Sequence, residues 1–498
     1  MARATVKSGT INLLNTIIGA GILTMPYGLK SNGLIFGCFL IILSSLTSSF
    51  GLYLQNKVAK YTNQRGNVSY FSLSQLTYPN FSILFDLAIS IKCFGVGISY
   101  LVIIGDLMPK IMETLEVNKE SIFLKRNIWI SIFMFFIITP LSFLKKLNSL
   151  KYTSILALFS VGYLICLVVI KYFEIIVLDK NHLNHKIIWF GPISWKQTLS
   201  SFPMFVFAYT CHQNMFAIIN ELKPHEKDGS QTRQSNLIIR NAIVIALVSY
   251  LIVGIFGYLT FGNDVNSNII SMYPKSSISS LIGRLCIVIM VALSFPLQCH
   301  PCRGSINHVL HFLTEGYNDL KLRKKISFNN LTNNQNSNSS NTTTTPHGYT
   351  SLTSDIESLN SINENSIIDE SFISTTPMEG AQDLEGHDPI IIPLTNKKFY
   401  IITTFILIGS YIIAISIISL AKVLAFVGST GSTSISFILP GLFGYLLIKN
   451  PNNSSDNNNE ELTKLEKFCK YGGLALAIWG FGVMIICLSA TIFLGATH

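Results

Sequence analysis

The sequence predicts an all-α membrane protein with eleven transmembrane helices, and three observations predict it. Only 12% of its 498 residues are charged, about half of what a soluble domain carries. Whole stretches, such as Ile11–Leu29, Gly33–Leu54, Asn127–Leu144 and Phe399–Leu420, hold no charge at all. At about 1.5 Å per residue each is long enough to cross roughly 30 Å of hydrocarbon, and none shows the polar stripe of a soluble core helix.

Taken in order, the apolar spans are 9–28, 33–55, 83–108, 127–147, 152–176, 198–219, 240–262, 280–300, 398–420, 424–447 and 471–495. With no water in the bilayer core, their backbone must be helical or line a cavity. Met1–Ser8 followed by an apolar run mimics a signal peptide, but the run is too long and ten more follow, so it counts as the first span. Cys38, Cys93, Cys166, Cys211, Cys286 and Cys487 fall within spans and read as small core residues rather than a disulfide framework. The net charge of +10 sits in the connections, so it speaks to topology and not to nucleic acid. With the N-terminus in the cytosol, about 23 of the 36 Lys and Arg are cytosolic against about 12 on the far side, which puts the C-terminus on the far side.

Residues 1–176 hold spans one to five, 177–315 spans six to eight, 398–447 spans nine and ten, and 448–498 a linker and span eleven. The cytosolic loop 316–397 lies between them. Its part 326–396 contains no Lys or Arg and is rich in Asn, Ser and Thr, a composition that buries no core and is expected to be disordered. It reads as a neutral spacer or, given its Ser and Thr, as a phosphorylated regulatory loop. Sequons such as Asn330-Leu-Thr are expected to stay unused on that side.

Two spans are not expected to be straight. The first carries Gly19-Ala20-Gly21 near its middle and Pro26 beyond; Gly lets the backbone open and Pro removes a donor. The sixth carries the polar run Tyr209-Thr210-Cys211-His212-Gln213-Asn214, and intramembrane polar residues mark functional sites by default. Freed amides and carbonyls at mid-membrane need a polar partner. A zwitterionic amino acid supplies one: its carboxylate takes amides at a half-helix N-terminus and its ammonium takes carbonyls. Glycine-lined helix contacts and interhelical hydrogen bonds are the structural alternatives. Interruptions at spans one and six fit an inverted five-plus-five repeat.

Three segments carry a family resemblance: Asn15-Thr-Ile-Ile-Gly-Ala-Gly-Ile-Leu, Phe207-Ala-Tyr-Thr-Cys-His and Val427-Gly-Ser-Thr-Gly-Ser-Thr-Ser-Ile-Ser-Phe-Ile-Leu-Pro-Gly. They resemble the amino acid/auxin permease family across all eleven spans. Ile91-Lys-Cys-Phe-Gly-Val-Gly-Ile-Ser-Tyr-Leu, Phe295-Pro-Leu-Gln-Cys-His-Pro-Cys-Arg and Ala421-Lys-Val-Leu-Ala resemble its fungal vacuolar AVT branch, in particular the members that export acidic amino acids. The resemblance implies a LeuT-like core of ten helices plus one, a vacuolar membrane location and proton-linked export to the cytosol. It also places Asn15 and Ser294 where sodium-coupled relatives keep side-chain cation ligands, with Ser in place of their Thr; helix–helix hydrogen bonding is the alternative role.

The expected substrate-binding residues are thus Thr16, Gly19, Ala20, Gly21, Lys92, Tyr209, Thr210 and His212. The expected ion-coupling residues are Asn15, Ser294 and His212. Lys92, inside the third span, attracts an acidic side chain or pairs with Asp86 or Asp106. His212 has the side chain whose ordinary pKa lies between an acidic lumen and a neutral cytosol. Cys299-His300-Pro301-Cys302 lacks the second pair a zinc site wants, and no Gly-x-x-x-x-Gly-Lys occurs to bind ATP. No cofactor is expected beyond the coupling proton, with sodium as the alternative ion. A membrane amino-acid sensor signalling through the long loop, and a neutral amino-acid transporter, are the alternative functions; an enzyme is not expected.

Overall fold

The computed structural model describes residues 5–59, 68–77, 81–118, 120–144, 151–178, 187–192, 194–222, 232–274, 277–336, 394–448 and 463–493. The chain divides into two compact units, one of residues 1–310 with 392–498 and one of residues 311–391. The described elements are helical throughout: α1 (Val6–Ile17), α2 (Met25–Asn32), α3 (Leu34–Val58), α4 (Tyr70–Thr77), α5 (Ser82–Thr114), α6 (Arg126–Phe133), α7 (Thr139–Ser142) and α8 (Lys151–Leu178) come first. Then follow α9 (Trp195–Ala208), α10 (His212–Glu221), α11 (Thr232–Phe261), α12 (Ile278–Asn336), α13 (Asn396–Ser416), α14 (Leu420–Val427), α15 (Leu439–Leu447) and α16 (Lys464–Phe493).

Eight of the described helices are long and apolar enough to cross a membrane, and nine if α1 and α2, bent by 46° at their junction, count as one span. The expected fourth and sixth spans fall on shorter pieces. The fourth is Arg126–Ser142, and its expected end, 145–147, lies outside the described residues. The sixth is split into α9 and α10 by Tyr209-Thr210-Cys211.

α3 shows how these helices sort their faces. Ile35, Phe39, Ile42 and Leu46 are exposed at helical spacing. The opposite face buries Gly37, Leu40, Ile41, Ser44, Ser45, Ser48, Gly51 and Gln55. This is an inside-out amphipathic helix: apolar side chains meet lipid, and small or polar ones meet protein. Gly33, at φ 77°, ends α2 and starts α3, a left-handed conformation that favours Gly.

Prolines shape the other irregularities. π-helical turns at Met134–Ile138 and Ser434–Ile438 run directly up to the residues before Pro140 and Pro440. Proline lacks the N–H that the preceding turn would accept, and the wider π register absorbs the mismatch. A further π turn covers Gly428–Ser432, so the span from Leu420 to Leu447 is wide and small-sided where it meets its neighbours. There Gly428 lies against the Pro203 carbonyl of α9, Gly431 against Ala88 and the Lys92 amide of α5, and Gly51 of α3 against the Ser436 carbonyl. A Cβ on any of the three glycines would overlap backbone, which accounts for the two glycines of the Gly-Ser-Thr-Gly-Ser-Thr sequence.

α12 runs on to Asn336, so the first residues of the segment 326–396 are helical rather than without fold. A helix already nucleated in the apolar span propagates at low cost even through weak helix formers. The rest of that segment, through residue 393, and the tract Asn452–Asn459 lie outside the described residues, as does the expected phosphorylation of the loop.

Candidate functional site at two facing helix breaks

The first break is a loss of α-helix over the seven residues 18–24. α1 ends at Ile17, Gly19 adopts φ −127° and ψ −138°, and a 3₁₀ turn spans Ala20–Thr24 before α2. Ala20 and Gly21 open this turn, so their amides have no acceptor within it. Pro26 sits in the first turn of α2, where its missing N–H costs nothing. In the second break, α9 stops at Ala208 and α10 restarts at His212.

The two breaks meet. A Cβ on Gly21 would stand 2.8 Å from the Ala208 Cβ and 2.9 Å from its Cα, so the two backbones touch and only Gly fits. On α10, Asn214 Nδ2 donates to Thr16 Oγ1 at 3.0 Å, while that hydroxyl donates to the Asn12 carbonyl at 2.9 Å. Tyr250 on α11 stands at both breaks at once: its hydroxyl lies 2.8 Å from the Ile17 carbonyl and 2.8 Å from the Ala208 carbonyl. Its ring packs edge-on against Tyr209, with centroids 5.0 Å apart.

One further freed carbonyl and the polar side chains of the second break find partners. Ser48 of α3 donates to the Tyr209 carbonyl at 2.9 Å. Thr210 donates back to Val206 and meets Ser436 Oγ at 3.1 Å. His212 is fully buried; its Nε2 lies 3.1 Å from the Ser48 carbonyl, and its Nδ1 has no hydrogen-bond partner. The imidazole therefore points at α3 from the start of α10. Lys92, only 2% exposed, interacts electrostatically with Cys211 and His212. No carboxylate among the described residues pairs with it. Asp86 instead lies 3.3 Å from His308 Nδ1, and Asp106 lies 3.5 Å from Arg126 Nε, so the pairing considered for Lys92 is absent.

Thr16, Gly19, Ala20, Gly21, Tyr209, Thr210, His212 and Lys92 are thus gathered around one junction. Asn15 stands on α1 one residue before Thr16, and Ser294 on α12; both are half-buried, and the Ser294 hydroxyl forms no hydrogen bond among the described residues. Ser48 and Tyr250 were not singled out in the sequence; Asn214 fell in the polar run and Ser436 in a family segment, neither with a role of its own. The run Ser44-Ser45-Leu46-Thr47-Ser48-Ser49 in an otherwise apolar span was the one available sign for Ser48. A lone Tyr in a span carries none, because tyrosine is ordinary there.

The family described as "Transmembrane amino acid transporter protein" matches residues 2–486. The chain belongs to this family. The resemblance to amino acid/auxin permeases is thereby borne out, and the family consists of transporters, not enzymes. The chain is 43% identical to vacuolar amino acid transporter 6 of Saccharomyces cerevisiae, over 98% of this chain and 99% of that one. It is 39% identical to vacuolar amino acid transporter 5 of the same yeast, over 99% of each. The crystal structure of MhsT in complex with L-phenylalanine superposes with a TM-score of 0.53 at 10% identity, covering 99% of this chain and 100% of that one. This likeness shows the LeuT-like fold.

Proposed function

We propose that this chain carries amino acids, acidic ones foremost, out of the vacuole into the cytosol together with a proton. In this reading it spans the membrane eleven times, with the N-terminus cytosolic, the C-terminus luminal, and an inverted repeat of five plus five helices. The vacuolar location is taken from the names of its two yeast relatives.

One observation carries the reading: two broken helices meet with their irregular backbone buried at one junction. Backbone of this kind inside a membrane serves a polar guest. The α-carboxylate goes to the Ala20 and Gly21 amides, and the ammonium to carbonyls at the breaks. A side-chain carboxylate goes to Lys92, a buried cation without an acidic partner among the described residues. His212 takes the coupling proton at Nδ1, the nitrogen that the Ser48 carbonyl leaves unpartnered. A carboxylate bound at Lys92 cancels the field that opposes a second positive charge at His212. Acidic substrate and proton therefore favour each other's binding.

Vesicles loaded with labelled amino acids, acidic inside and neutral outside, test this directly. Glu efflux should require the pH gradient and ignore sodium. His212→Ala should abolish the gradient's effect. Lys92→Met should raise the KM for Glu about tenfold or more, the scale of one lost charge-assisted contact, while leaving Gln unchanged. If Ser294→Ala stops transport and sodium is required, the coupling ion is sodium instead. If none of the twenty amino acids is moved, the transport reading fails.

A further inference from the structure

The Tyr250 hydroxyl carries one proton yet lies at hydrogen-bonding distance from two carbonyl oxygens, Ile17 on one broken helix and Ala208 on the other, both at 2.8 Å. A phenol donates one hydrogen bond, so at any moment one of these oxygens lacks a donor from Tyr250. The residue is fully buried, which keeps water from making up the difference. The Ile17 carbonyl accepts one further bond, from the Gly19 amide at 3.0 Å.

The distances also set an upper limit on a spacing. With both oxygens 2.8 Å from a single atom, their separation cannot exceed twice that length. An ammonium nitrogen donating to two carbonyls stands about 2.7–2.9 Å from each, so it needs an acceptor pair within the same limit. With the Tyr250 proton turned to Ala208, the Ile17 carbonyl keeps one lone pair open beside the Gly19 amide, and the Ala208 carbonyl keeps its second. Tyr250 therefore keeps two carbonyls from separate helices close enough for one primary ammonium to bridge.

We propose that Tyr250 is a positioning residue for amine recognition. Its hydroxyl sets the Ile17 and Ala208 carbonyls so that the substrate's α-ammonium binds both. This rests on the transport reading above. It adds that selectivity for an amine over a hydroxyl at the α-carbon is determined from α11, by a residue belonging to neither broken helix.

Tyr250→Phe keeps the ring and its packing on Tyr209 and removes only the hydroxyl. The probe is the amino acid that the wild type moves fastest among the twenty, measured beside its α-hydroxy acid analogue. Y250F should raise KM for the amino acid about tenfold, the loss of roughly one well-placed bond, with maximal rate within twofold. KM for the hydroxy acid should not change, so amine selectivity falls by the same factor. Tyr258→Phe, which removes another α11 tyrosine hydroxyl, should leave the selectivity intact. An equal loss for both probes, or for neither, overturns the proposal while leaving transport itself established.

Wild-type protein gives a second test should Y250F fail to reach the membrane. The N-methyl amino acid keeps two N–H groups for two carbonyls and should be carried. The N,N-dimethyl form keeps one and should be rejected as firmly as the hydroxy acid. Equal transport of the dimethyl form contradicts a two-carbonyl seat. A wild type that moves none of the twenty amino acids overturns the transport reading, and this inference with it.

Discussion

Gly19 and Gly21 are two residues apart and serve different ends. A methyl group on Gly21 collides with Ala208, backbone included, at 2.8–2.9 Å, whereas on Gly19 its nearest neighbour is the Tyr100 hydroxyl at 3.4 Å. Gly21→Ala should therefore lose most transport and lower thermal stability by about 1–3 kcal/mol, the cost of an overpacked contact. Gly19→Ala should keep at least about half the flux, because its methyl makes near-ordinary contact. Detergent melting curves and flux at matched membrane levels separate the two; equal loss in both would mean that the breaks do not touch as described. The Gly-Ala-Gly triplet and the polar run after Tyr209 were legible because each contradicts the span that contains it. Tyr250 and Ser48 were not, since their meaning lies in carbonyls contributed by other helices. His212 was placed in the right break, but no sequence pattern could say that its ring would lean on the Ser48 carbonyl.

Among the elements, α13 ends in an unusual way. Its last carbonyls, Ala414 and Ile417, accept from Arg126 Nη2 at 3.0 and 2.9 Å, and Ile415 accepts from Nη1 at 3.4 Å. A cation at a helix C-terminus meets both the orphan carbonyls and the helix dipole, and Asp106 on α5 stands 3.5 Å behind it. Arg126→Met should cost about 3 kcal/mol, because it strands the carboxylate along with the carbonyls. Adding Asp106→Asn should restore part of that loss in a melting experiment; a double variant less stable than the single one would contradict the pairing. Eight long helices, and a ninth if α1 and α2 count as one, were readable from apolar length. The partners of their ends were not, because Arg126 reaches carbonyls almost 300 residues away. The same holds for Asp86, which lies six residues before Lys92 in the chain yet faces His308 across the fold.

At the scale of the molecule, the family and the LeuT-like fold were within reach of the sequence, because a membrane leaves the backbone few solutions. The course of the long insertion was not, as its composition names no partner. One contact at this scale extends beyond transport. Gly441 of α15 and Gly473 of α16 lie face to face: a Cβ on either would stand 2.5 or 2.9 Å from the other's carbonyl oxygen, and Gly480 fits against Phe437 and Ile438 in the same way. Glycine-lined seams of this kind are what membrane helices use to recognise each other in lipid, where apolar area alone offers no preference. α16 is thus an attached stopper on a groove that is adhesive by construction. A chain ended before Lys464 would leave that groove facing lipid, and its nearest match would be the groove of a second truncated copy. Such a chain should cross-link as a dimer in native membranes while the full-length protein does not. Co-expressing residues 464–498 as a separate peptide should return it to the monomer.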